Sequence, residues 1–188
     1  LELQSGKIDL AFALSATPQR AMVIDFTKPV FSHPFGAVLR KGFEATTWGD
    51  LDKIVDDVAA KNLKLLINIV QAPTFYNSTN GLPQDPVSMG NLVEAMVKRY
   101  GNKVAAYEIW NEQNLAHENG GTVTEADAGH YVDILVECYN RIKALDPSII
   151  VLAGAPSSSG VNDPAIAVSD ENYYRAMYRY KDGIIKSH

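Results

Sequence analysis

The amino-acid sequence predicts an α/β fold in which parallel strands alternate with helices. From residue 47 onward, segments with apolar residues at helical spacing alternate with short, nearly continuous apolar runs of strand length. Gly, Pro, Asn and Ser separate the two kinds of segment. Apolar strands joined by helices form parallel sheets that are buried on both faces. The pattern fits part of a barrel and a doubly wound sheet equally well.

Length and composition are typical of one soluble globular domain. The chain has 188 residues, of which 46% are hydrophobic and 21% charged. A net charge of −5 argues against nucleic acid as a partner, because phosphate backbones are bound by dense basic surfaces. No stretch approaches the roughly 20 apolar residues that cross a bilayer, so we expect no membrane span. Cys138, the single cysteine, is predicted to be a small apolar residue on a helix.

The chain changes character near residue 43, and we predict two parts, 1–42 and 43–188. The first part carries two predicted strands, KIDLAFAL (7–14) and FGAVLRK (35–41). Leu1 begins the chain with no leader segment, and the last stretch stops soon after a strand-like start. We therefore expect a sequence cut at both ends.

The second part begins with a helix after Thr47, followed by a strand over 63–73 and a polar loop over 74–87. Ser88 is predicted to cap the next helix, which ends at Gly101, and a strand follows over 104–114. The buried faces of these two helices are predicted to carry Leu51, Ile54, Val55 and Val58, and Leu92, Val93, Met96 and Val97, respectively.

A long helix is predicted to begin at Thr124 and to end before Pro147. A third strand over 148–156 and a last helix over 171–180 complete the pattern. The apolar stripe of the long helix consists of Tyr131, Ile134, Leu135, Cys138 and Ile142.

The stretch AYEIWNEQNL (106–115) holds the candidate catalytic residues. Its strand is predicted to end in Asn111 and Glu112, and catalytic groups collect at the carboxyl ends of parallel strands. A carboxyl group packed against Trp110 and partly withdrawn from water would keep its proton near neutral pH, as a general acid must. The alternative is an ordinary exposed glutamate in a strand-to-helix loop.

Residues 43–188 resemble a retaining glycoside hydrolase of the large TIM-barrel clan, closest to the family 39 type. The matching segments are TTWGDLDKIVDDVAAKNLKLLINIVQAP, AYEIWNEQNL and DPSIIVLAGAPSSSGVND, in the family's order and spacing. The resemblance implies a partial (β/α)8 barrel whose three strands are the third, fourth and fifth of eight. It also implies that Glu112 is the acid/base and that Asn111 binds the sugar 2-hydroxyl. Gln113 stands where the family usually has Pro, a departure expected to loosen the loop.

The resemblance also implies that these residues alone are inactive. Retaining hydrolysis needs a second carboxylate about 5–5.5 Å from the acid/base, and in the family it ends the seventh strand. Glu108 is expected to lie roughly 13 Å deeper on the same strand as a buried, paired structural group. No cofactor is implied, because the chemistry uses carboxylates alone. Trp110 and Tyr76 are candidates for stacking on a sugar, with the core as the alternative. Glu118 and Asp163 are candidate carboxylates in loops. His117 and His130 have no metal-ligand partners at the required spacing.

Residues 1–42 resemble a different family, the periplasmic solute-binding proteins for amino acids. The segment GKIDLAFALSATPQRAMVIDFTKPVFSHPFGAVLRKG carries a strand, a Ser/Thr-rich turn with an arginine, and Asp-Phe-Thr-Lys-Pro, which is similar to that family's Asp-Phe-Ser-Lys-Pro sequence. The resemblance implies that Arg20 binds a ligand carboxylate, with Ser15 and Thr17 lining the turn. Arg20 has the alternative of being a solvated or structural side chain.

Three functions remain open from the sequence. The chain is a glycoside hydrolase segment acting on a carbohydrate, an amino-acid or solute-binding module, or a chimeric α/β protein without evolved activity. Open edges of a parallel sheet favour self-association. Both resemblances favour an extracytoplasmic or secreted protein.

Overall fold

A computed structural model describes residues 47–72 and 81–187. These residues form an α/β structure in which helices and strands alternate. The helices are α1 (Trp48–Ala60), α2 (Pro86–Tyr100), α3 (Glu125–Leu145) and α4 (Asp170–Arg179), and the strands are β1 (Leu65–Ile69), β2 (Val104–Ile109) and β3 (Ile150–Ala153). Short 3-10 segments cover Gly101–Lys103 and Tyr180–Ser187.

The three strands form one open parallel sheet in the order β1, β2, β3, so β2 is central. Asn68 of β1, Glu108 of β2 and Leu152 of β3 lie in one row of the sheet. Because all strands run in the same direction, their carboxyl ends and the loops that follow them share one edge. The predicted alternation of helices with a parallel sheet is confirmed.

Of the four predicted helix starts, two are confirmed, the last lies one residue after the observed start at Asp170, and one is wrong. Thr47 and Thr124 cap α1 and α3, each within a capping box closed by an aspartate three residues later. The second helix begins three residues before the predicted Ser88, because the Asp85 carboxylate accepts the N–H of Val87 at 3.0 Å. Pro86 occupies the first helical position, where an N–H would have no partner within the helix. Because proline has no N–H, it favours a helix that begins here.

The helices pack as neighbours in chain order and cover one face of the sheet. α2 contacts α3, and α3 contacts α4, while a bidentate ion pair between Asp52 and Arg99 joins α1 to α2. The core between helices and sheet includes Tyr107 and Ile109 of β2, both fully buried. The predicted inward residues Val93, Met96 and Val97 are buried, whereas Leu92 is 39% exposed and its predicted burial is wrong.

The other face of the sheet is not covered by these helices. Leu66, Ile150 and Leu152 point to this face and are 44%, 54% and 38% exposed. The expectation of strands buried on both faces is therefore wrong for the described residues. The reason is that the helices contacting the sheet pack together in a single layer on the opposite face.

Helix α3 confirms its predicted stripe. Tyr131, Ile134, Leu135, Cys138 and Ile142 are all buried. Over residues 47–72 and 81–187, no helix has both the length and the apolar character that crossing a bilayer requires.

Candidate functional site

The candidate site lies in the loop that leaves the central strand. The predicted strand 104–114 is too long, since β2 ends at Ile109. Trp110 still donates its backbone N–H to the Ile69 carbonyl at 2.9 Å, but its φ of 69° turns the chain out of the sheet. Asn111 and Glu112 therefore follow the strand as loop residues at the carboxyl edge.

Two hydrogen bonds hold the backbone of Glu112, and its side chain is half-buried. Its N–H donates to the Ala155 carbonyl at 3.0 Å, and its own carbonyl accepts the N–H of Leu115 at 2.9 Å. The half-buried side chain makes no hydrogen bond or ion pair with any residue in the described part of the chain. This carboxylate is thus positioned by its main chain and left available to a ligand.

Trp110 and Glu112 both adopt left-handed backbone conformations, with φ of 69° and 49°. This conformation costs a residue with a side chain roughly 1–2 kcal/mol, and such costs persist where the surrounding structure enforces them. Two left-handed residues within three positions mark this turn as strained. Strain of this kind concentrates at functional sites.

Asn111 lies between these two residues and is 9% exposed. Its side-chain amide makes no hydrogen bond with the described residues. A buried amide without a protein partner has hydrogen-bonding capacity to offer a ligand. Asn111 and Glu112 together therefore present an amide and a carboxylate at consecutive positions.

Gln113 and Asn114 tie this loop to the loop that follows β3. The fully buried Gln113 donates from Nε2 to the Gly154 carbonyl at 2.7 Å. Asn114 donates from Nδ2 to the carbonyls of Ser157 and Val168, both at 2.9 Å, and its Oδ1 accepts the Ser157 N–H at 2.6 Å. The expectation that Gln113 loosens the loop is wrong. Sequence reasoning also missed Asn114, whose only signal was an amide placed directly after a strand end.

Tyr131 of α3 braces the same strand ends from the helical side. Its buried hydroxyl donates to the Ile109 carbonyl at 2.8 Å and accepts the Gly154 N–H at 2.7 Å. Burial raises the pKa of Tyr131, so this hydroxyl keeps the proton that it donates. The ends of β2 and β3 are therefore joined by a side chain as well as by the sheet.

Trp110 belongs to the core, which is the second of the two alternatives left open by the sequence. Its side chain is fully buried, so it offers no surface for stacking on a sugar. A Cβ at Gly154 would lie 2.5 Å from the Trp110 carbonyl oxygen, so the chain after β3 packs directly against this residue. Trp110 thus packs in the core next to the strained turn.

Glu108 is paired, as predicted, but it is half-buried, so its predicted burial is wrong. Its carboxylate accepts a hydrogen bond from Asn68 Nδ2 at 2.8 Å, and the same nitrogen donates to the Trp110 carbonyl at 3.2 Å. The pair is half-buried on the sheet face that the helices leave uncovered. Asn68 thereby connects β1 to the base of the candidate site.

Each of the remaining candidates contacts another residue of the chain. Glu118 lies 3.3 Å from His117 Nε2, and the Asp163 carboxylate accepts the Ala165 N–H at 2.9 Å in a turn. His130 Nε2 lies 2.7 Å from the Pro83 carbonyl. Among the described residues, no three His, Cys, Asp or Glu side chains come together as metal ligands.

Four predicted site residues lie outside the described residues, namely Tyr76, Arg20, Ser15 and Thr17. Their roles, and the solute-binding character of residues 1–42, stay predictions. Comparison with models of known protein families and with curated protein sequences finds no match to this chain.

Proposed function

We propose that residues 43–188 are a segment of a retaining glycoside hydrolase barrel, with β1, β2 and β3 as its third to fifth strands. The sequential strand order and the single layer of neighbouring helices support this proposal. In a (β/α)8 barrel the helices cover the outer face, and the inner face is packed against the other strands. A doubly wound sheet has helices on both faces. The uncovered face with Leu66, Ile150 and Leu152 favours the barrel.

In this proposal Glu112 is the general acid and base. Its carboxyl group would protonate the glycosidic oxygen as the bond to the sugar breaks, and would later take a proton from the attacking water. Asn111 would donate its amide hydrogen bond to the sugar 2-hydroxyl. The observation that carries the assignment is the Glu112 carboxylate itself, which is fixed by its strained backbone and has no partner among the described residues.

The missing participant is the nucleophile. The retaining mechanism requires a carboxylate about 5–5.5 Å from the acid/base to form the glycosyl intermediate. The family resemblance assigns it to a seventh strand, and the described residues form only the three strands β1 to β3. We therefore expect the chain by itself to release no measurable product from aryl β-glycosides. Turnover that is lost in Glu112→Gln would contradict this expectation and would require another nucleophile.

Affinity labelling tests the role of Glu112 without requiring turnover. The reagent is N-bromoacetyl-β-D-glucosylamine. A carboxylate oxygen of the protein displaces bromide from the carbon that bears it and forms an ester that carries the sugar. We expect peptide mass spectrometry to find the label on Glu112 and not on Glu118, which belongs to the same loop. Excess methyl β-D-glucopyranoside should protect the site, and Glu112→Gln should remain unlabelled. Equal labelling of both glutamates, or labelling without protection, would contradict the proposal.

A further inference from the structure

A recess lies at the same edge of the sheet, between residues 81–85, which precede α2, and the loop after β2. Its volume is about 310 Å³, at the lower limit of small-molecule pockets. Leu82 forms its apolar part. The other lining residues are Gln84, Asn119, Gly120, Thr122, Asp127 and His130.

Two of the lining side chains use one polar atom to hold the fold and keep another available. Asn119 donates from Nδ2 to the Thr122 carbonyl at 2.8 Å, which leaves its Oδ1. Asp127 accepts the N–H and hydroxyl of Thr124 through Oδ2, at 2.7 and 2.8 Å, which leaves Oδ1. These contacts fix both side chains without using all of their hydrogen-bonding capacity.

His130 contributes a third acceptor. Its Nε2 lies 2.7 Å from the Pro83 carbonyl oxygen, and a carbonyl oxygen can only accept. The proton of the neutral ring is therefore assigned to Nε2, and Nδ1 is left as an acceptor. The recess is thus lined by residues that retain three acceptors: an amide oxygen, a carboxylate oxygen and an imidazole nitrogen.

The recess is shaped by direct contact between its two loops. A Cβ at Gly81 would lie 2.4 Å from the Gly120 nitrogen, so the two backbones touch at glycine. Gly120 itself has a φ of 97°, a conformation that other residues rarely adopt. A recess built in this way exists before a ligand arrives, which reduces the cost of binding.

We propose that this recess, whose lining does not include Glu112, binds a single ring of a neutral carbohydrate. The three acceptors favour a ligand with several hydrogen-bond donors. The hydroxyl groups of a sugar ring are such donors. None of the described lining residues is Lys or Arg, so among them an anionic ligand would meet the Asp127 carboxylate without a balancing charge. The Thr122 hydroxyl and the Gln84 amide, which have no partner among the described residues, supply further hydrogen bonds. The inference does not rest on hydrolysis at Glu112.

Titration of the ¹⁵N-labelled full chain with methyl β-D-glucopyranoside tests the proposal. A single ring with few contacts should bind with a dissociation constant on the order of 1 mM. The amide signals of Asn119, Gly120 and Thr122 should shift, and tetrahydropyran, the same ring without hydroxyls, should not shift them. Thr122→Val should weaken binding about 5-fold through the loss of one hydrogen bond. Thr122→Val combined with Gln84→Leu should weaken it further, and Asn140→Ala elsewhere on α3 should leave the affinity unchanged.

Four results would overturn the proposal. They are the absence of shifts, equal shifts with tetrahydropyran, shifts confined to the surroundings of Glu112, and an affinity unchanged in both Thr122 variants. If ethanolamine binds more tightly than the glucoside, the recess is a site for an ammonium ligand and not for a carbohydrate. Because the readout follows residues of the recess, its failure leaves the labelling experiment on Glu112 intact.

Discussion

Replacing Glu112 first by alanine and then by glycine measures the strain at the candidate acid. Both substitutions remove the carboxylate, and both keep the backbone hydrogen bonds to Ala155 and Leu115. The only further difference is the Cβ, which makes a φ of 49° unfavourable for alanine and not for glycine. The comparison therefore isolates the cost of the left-handed backbone.

The expected magnitude follows from two opposing terms. A left-handed conformation costs a non-glycine residue roughly 1–2 kcal/mol. Glycine loses about 0.4–1 kcal/mol of stability through the larger freedom of its unfolded chain. Glu112→Gly should thus be about 1 kcal/mol more stable than Glu112→Ala, or roughly 2–4 °C in melting temperature for a domain of this size.

The matched control is the same pair of substitutions at Glu118, which has no positive φ. There Glu118→Gly should be about 0.4–1 kcal/mol less stable than Glu118→Ala. Urea unfolding followed by the fluorescence of the fully buried Trp110 gives both differences. If the glycine variant is the less stable one at both positions, the left-handed geometry at Glu112 and the strain argument built on it are refuted.

Four further predictions concern the surrounding structure. Asn114→Ala removes three hydrogen bonds between loops and should lower the free energy of unfolding by about 3 kcal/mol in urea denaturation, whereas Asn140→Ala should change it by less than about 0.5 kcal/mol. Burial raises the pKa of the Cys138 thiol to about 12, so Ellman's reagent at pH 8 should react only after unfolding; rapid reaction of the native chain would contradict this. Unfolded thiols ionise near pH 8.5, so this group should make stability fall as pH rises from about 8.5 towards 12. Gly129→Ala would place a Cβ 2.6 Å from the ring of Tyr180. It should lower the free energy of unfolding by about 1–3 kcal/mol, although alanine has the better helix propensity. Adding Tyr180→Ala in the same chain should largely remove this loss.

The sequence predicts the kinds and order of the elements well and their ends less well. The apolar stripe of α3 and the Thr47 and Thr124 caps were readable because spacing and capping are local properties. The start of α2 was misassigned although its signal was present, since Asp85 followed by Pro86 is a strong helix beginning. Strand ends were overestimated because an apolar residue such as Trp110 continues the pattern of a strand while its backbone leaves the sheet.

The candidate site was predictable in residue type and not in geometry. The position of Asn111 and Glu112 after an apolar strand followed from their order in the chain. Their left-handed turn did not, because it depends on Gly154, which is distant in sequence and packs against the Trp110 carbonyl. The role of Gln113 was misjudged for the same reason, since its partner is the carbonyl of Gly154.

The attachment of α1 differs in kind from that of the other helices. α1 buries only Val55 fully, and Asp52 and Asp56 connect it to Arg99 and Lys103 through ion pairs at the surface. Dissolved salt screens such pairs, whereas it leaves apolar burial largely intact. Ionic strength therefore acts on this helix more than on the α3 core. In native-state hydrogen exchange, α1 would open as a separate unit at high salt, while the strand ends that position Glu112 stay protected.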